Sequence, residues 1–69
     1  MHRFLIVIEM AETNYSAYSP DLPGCIATGK TREEAEEQMH KAIAFHIEGM
    51  KEDGLPIPEA RSSASWVLV

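Results

Sequence analysis

The chain has 69 residues and carries 11 Asp and Glu against 6 Lys and Arg, a formal net charge of −5. That length holds one domain near the lower limit for independent folding, and the lone cysteine, Cys25, excludes an internal disulfide and fits a reducing compartment. The acidic balance argues against nucleic-acid binding, which draws its affinity from Lys and Arg on phosphates, and no apolar stretch approaches the roughly 20 residues that span a bilayer.

Residues 4–8, Phe-Leu-Ile-Val-Ile, are apolar throughout and β-branched-rich, which predicts a strand covered on both faces. The run is too short for a signal-peptide core and no small-residue cleavage site follows, so the chain reads as a cytoplasmic protein. Residues 11–14 break the pattern and residues 15–19 resume it, which predicts a hairpin pairing Met10 with Tyr15. Pro20-Asp21-Leu22-Pro23-Gly24 predicts a loop, with Pro-Gly at the centre of a type II turn. Residues 25–30 predict a third, weaker strand.

Thr31 and Glu34 have the spacing of a capping box, and the carboxylates of Glu33, Glu34, Glu36 and Glu37 suit the positive end of a helix. Ala35, Met39, Ala42, Ile43, His46, Ile47 and Met50 recur at steps of three and four, one apolar stripe of a helix over residues 32–53. Gly54 stops it, and Pro56 and Pro58 prevent its resumption. Residues 65–69 predict a final strand. The expected architecture is therefore α+β, β-β-β-α-β, with a single four-stranded sheet in the order 3-2-1-4 and one helix on one face.

One helix leaves the other face of the sheet bare. With Phe4, Ile6, Ile8 and Met10 turned to the helix, Leu5, Val7 and Glu9 face away, and the hairpin register adds Ser16 and Tyr18. Leu5, Val7 and Tyr18 form a candidate interaction patch, with Glu9 and Asp21 as an acidic rim for a basic partner. Trp66, Val67 and Leu68, on an apolar edge, form a candidate oligomer interface.

Chemistry is sparse. Residues 24–31 fit the phosphate-cradling pattern G-x-x-x-x-G-K-[ST], but residues 25–28 read as strand, with their N–H groups committed to a ladder. His40 and His46 lie on different faces of the helix, so no metal or other cofactor is expected. Cys25 has no histidine near it in sequence and reads as a buried filler.

The run from Tyr15 to Cys25, with its P-D-L-P-G-C, followed by Thr28-Gly29-Lys30-Thr31 and Glu33-Glu34-Ala35, resembles the HicB-like antitoxin family. The resemblance covers essentially the whole chain. It implies a partial ribonuclease-H-like fold and a non-enzymatic antitoxin of a type II toxin–antitoxin system. Such a protein neutralises a small basic HicA-type mRNA interferase by shielding its catalytic histidine. Longer members add a DNA-binding domain, so residues 1–69 are expected to be a single HicB-like domain without one. Two alternatives stay open: an orphan homo-oligomeric binding module, and a ribonuclease-H-like nuclease, for which Glu9 and Asp21 are the only near metal-binding acids.

Overall fold

The computed structural model describes residues 2–69. Strands β1 (Val7–Met10), β2 (Tyr15–Tyr18) and β3 (Ile26–Gly29) precede helix α1 (Arg32–Glu52). The strands form one antiparallel sheet in the order β1-β2-β3. Met10 pairs with Tyr15, as the four-residue loop requires, and Ala11 donates its N–H to the Asn14 carbonyl at 2.8 Å to close the hairpin.

The sheet's pleat sorts its residues in rows. Ile8, Ala17 and Ala27 lie opposite one another across the three strands and pack towards the helix, with Ala17 at the centre of the core. Val7, Tyr18 and Ile26 form the next row, on the other face. The loop between β2 and β3 is two turns in succession. Leu22 N–H donates to the Ser19 carbonyl with Pro20 at the first corner, and Cys25 N–H donates to the Leu22 carbonyl. Gly24 occupies the second corner at φ +83°, the backbone that a type II turn demands of its third residue. The double turn folds Leu22 and Cys25 inwards, where they join Ala35, Met39 and Ile47 in the core.

Helix α1 begins where the capping signals place it. The Glu34 N–H donates to Thr31 Oγ1 at 3.1 Å, and the Glu34 carboxylate accepts from Lys30 N–H at 3.3 Å. At the other end Gly54, at φ +69°, donates to the Lys51 carbonyl while Leu55 N–H reaches the Met50 carbonyl. These two bonds are the Schellman arrangement. Gly29 sits where the end of β3 meets the first turn of the helix. A Cβ there would lie 2.8 Å from the Glu34 carbonyl carbon and nearer still to Ala35 N, so only glycine permits this approach.

The expected four-stranded order 3-2-1-4 is not what the chain forms: the sheet has three strands, and residues 65–69 lie outside it. Trp66 and Leu68 are 97% and 99% exposed. The segment is apolar as a strand should be, but apolarity does not create a ladder; a strand also needs a partner edge, and none is engaged. The first strand is likewise shorter than its apolar run. β2 ends at Tyr18, Ser19 turns its hydroxyl to the Leu5 carbonyl at 2.9 Å, and Pro20 has no N–H to donate. Residues 4–6 are therefore left without a ladder. Phe4, Ile6 and Ile8 do pack against the core, but Met10 is exposed, because the helix lies over β3 and β2 more than over β1.

Candidate partner-binding surface

The molecule is 18 Å through its thinnest dimension, the depth of one helix on one sheet. Among the described residues no element packs across the far face of the sheet, where Leu5 and Val7 are half-buried. Across its middle runs the row Val7–Tyr18–Ile26, in which Tyr18 is 40% and Ile26 70% exposed. The row beyond it, Glu9–Ser16–Thr28, is polar. The structure thus brings Val7, Glu9 and Tyr18 together on one face, with Leu5 continuing the alternation of Val7 and Glu9 along the same segment.

Ile26 belongs to this patch and the sequence reading missed it. The β2–β3 register opposes it to Tyr18, and the length of the intervening double turn was the signal that could have found it. Phe45 is a second omission. It is exposed on the helix and lines a groove with Ile26, Ala27, Thr28 and Ala42 beside β3.

Asp21 is placed differently from the other rim acid. Its Oδ2 accepts the N–H groups of Arg61 at 3.2 Å and Ser62 at 3.1 Å, and its Oδ1 accepts the Ser62 hydroxyl at 3.0 Å. Both carboxylate oxygens hold the chain that leads to residues 65–69, whereas Glu9 is exposed. Trp66, Val67 and Leu68 stand in solvent beyond that clasp.

Residues 26–29 of the phosphate-loop pattern are β3, laddered to β2, so their N–H groups do not converge on a cradle. The cap of α1 is occupied by the chain's own Thr31 and Glu34. Burial pushes the Cys25 thiol above its ordinary range, which disfavours the nucleophilic thiolate. Among the described residues no three His, Cys, Asp or Glu side chains gather as a metal site, and no helix is long and apolar enough to cross a membrane.

Residues 4–68 match the family model described as HicB_like antitoxin of bacterial toxin–antitoxin system. The chain belongs to the HicB-like antitoxin family. The UPF0150 protein Ta0767 of Thermoplasma acidophilum is 35% identical over 68 residues, covering 97% of this chain and 96% of its own length. A UPF0150 protein of Helicobacter pylori is 35% identical over 57 residues, 83% of this chain and 79% of its own. An uncharacterized 14.9 kDa protein of Haemophilus phage HP1 is 39% identical over 62 residues, 90% of this chain, but the match spans only 47% of the phage protein. Among solved structures, a HicA3 and HicB3 toxin–antitoxin complex contains a chain with a TM-score of 0.68 and 27% identity, matching 86% of this chain and 72% of that one. This member of the family is a three-stranded α+β unit.

Proposed function

We propose that this HicB-like antitoxin acts in the cytoplasm by binding and neutralising a small basic HicA-type mRNA interferase, without catalysis of its own. The observation that carries the reading is the row Val7–Tyr18–Ile26 on the sheet face away from the helix, with Tyr18 and Ile26 exposed and Val7 half-buried, in a member of a family of antitoxins. Leu5 and Val7 flank Tyr18 as apolar ground. Glu9 supplies rim charge from the sheet itself, and Asp21 adds its charge from the neighbouring turn. Aromatic residues at a desolvated centre carry a large share of interface energy, whereas rim charges act mainly on partner choice and association rate. The net charge of −5 favours a basic partner in the same way.

The deciding experiment adds this protein to a purified HicA-type toxin encoded beside it and follows cleavage of a single-stranded mRNA. Stoichiometric suppression is expected. Undiminished cleavage, with no complex by size-exclusion chromatography, would overturn the reading. The protein alone with Mg²⁺ or Mn²⁺ should leave the RNA intact.

The antitoxin is also proposed to be a homo-oligomer, with Trp66, Val67 and Leu68 in the interface. Their exposure favours this: consecutive large apolar side chains in water are a surface awaiting cover.

A further inference from the structure

On the toxin-binding reading, Asp21 and Leu5 both belong to the surface that meets a basic partner, and one stretch of the chain already engages each of them. A carboxylate offers about four acceptor positions on its two oxygens, and at Asp21 three are filled, by the N–H groups of Arg61 and Ser62 and by the Ser62 hydroxyl. Oδ2 accepts twice. A guanidinium that binds both oxygens at once needs a place on each, so the clasp shuts it out. The same stretch then runs beside Leu5. Ser62, Ser63 and Ala64 share with Leu5 and Ile6 the lining of a groove of about 720 Å³. Leu5 is half-buried there although residues 4–6 have no ladder partner.

We propose that residues 60–64 are a strap, held beside Leu5 by the Asp21 clasp, and that the toxin releases it by taking the Asp21 carboxylate with an arginine. The inference rests on the toxin-binding reading and adds the regulation of that same surface. Asp21 lies in the turn that follows the end of β2 at Tyr18, so a partner centred on Tyr18 has it within reach. The exchange favours the partner. The clasp's donors are neutral N–H and O–H groups, whereas an arginine brings a full charge and two parallel bonds, which are stronger. The groups let go are not stranded, because Arg61 is exposed and Ser62 only half-buried, and water can replace the carboxylate. With the strap aside, more of Leu5 faces the partner. Arginine exploits the site better than lysine, whose ammonium is a point charge without the paired geometry. The coupling is reciprocal: whatever weakens the clasp strengthens binding, and binding loosens the strap by the same factor.

The test follows the two clasp amides and the affinity together, on the full chain with the purified HicA-type toxin encoded beside it. Hydrogen exchange read residue by residue should find the Arg61 and Ser62 amides slowed in the free protein. Saturating toxin should speed both at least about tenfold while the amides that ladder β2 stay slow. Ser62→Ala deletes the bond to Oδ1 and leaves the Asp21 charge in place, so calorimetry should show toxin binding tightened about two- to tenfold. Ser62→Pro removes the N–H as well and should tighten it further. Both changes lie outside the sheet and the helix, and Ser62→Ala carries the test if Ser62→Pro disturbs the fold by circular dichroism. If the parent itself does not bind toxin, the toxin reading falls and the strap with it. If the parent binds, but the two amides stay slow in the complex or the variants bind no tighter, the toxin reading stands and the strap is overturned. Variants that bind more weakly would make residues 60–64 part of the toxin-binding surface, which overturns the proposal as well.

Discussion

Asp21 and Ser62 lie 41 positions apart in sequence and are joined twice, the Ser62 N–H to Oδ2 and the Ser62 hydroxyl to Oδ1, while Arg61 N–H shares Oδ2. One side chain thus holds a whole segment to the double turn. Hydrogen bonds to a charged acceptor contribute roughly 1.5–3 kcal/mol each when well formed, and less where water competes. Asp21→Ala should therefore free residues 61–62 without unfolding the sheet. Trypsin cleavage after Arg61 should speed up at least about tenfold, read by mass spectrometry, with the thermal midpoint little changed. An unchanged cleavage rate would mean that the segment is held by something else.

Tyr18→Ala should weaken toxin binding by roughly 2 kcal/mol, about thirty-fold, measured by calorimetry on folded protein. Ile26→Asp tests the residue opposite it on β3 and should cost at least as much, since it sets an unpaired charge in the same patch. Glu9→Gln should chiefly slow association and flatten its salt dependence. If both patch variants bind as the parent does, the toxin uses another surface.

The two sheet-and-helix glycines that face opposite surroundings should respond with opposite sign. Gly29→Ala drives a Cβ into the backbone of Glu34 and Ala35 and should cost about 1–3 kcal/mol. For a domain of this size that lowers the thermal midpoint by roughly 4–8 °C per kcal/mol. Gly49→Ala, within α1, meets no atom within 4 Å and should raise stability by about 0.5–1 kcal/mol. Differential scanning calorimetry separates the two.

Cys25 supplies a pH-dependent component of stability. Burial raises its folded pKa, so the folded chain holds the proton more tightly than the unfolded chain. Its contribution is complete below the unfolded value of about 8.5 and is lost as pH rises through the folded value. Cys25→Ala should remove that alkaline loss, seen in denaturation midpoints from pH 8 upward, at the expense of some packing. The native thiol should also react slowly with a disulfide reagent until denaturant is added.

Turns, caps and the hairpin register were legible in the sequence, while strand ends were not. The Met10–Tyr15 register follows from a four-residue loop, the helix from Thr31 with Glu34 at one end and Gly54 at the other, and the type II turn from Pro23-Gly24. Each depends on residues a few positions apart. What failed was pairing at a distance. The apolar runs at residues 4–6 and 65–69 read as strands in the sequence, but neither joins the sheet, because hydrophobicity does not say which edge a strand meets. Ile26 and Phe45 were missed for a related reason: their exposure depends on where the helix lies across the sheet, and its displacement towards β3 is a packing outcome with no sequence marker.

The order β1-β2-β3 repeats the order of the chain, and α1 packs chiefly on the strand it follows. Each element can therefore dock on one already formed, with only short loops to close. Pairing between elements that are neighbours in sequence speeds folding relative to sheets built from distant strands. On a ribosome the sheet, the double turn and the helix could assemble as soon as residue 54 has emerged. The Asp21 clasp closes across 41 positions and must come after them. The segment that the clasp holds is thus set in place only after the core is already folded.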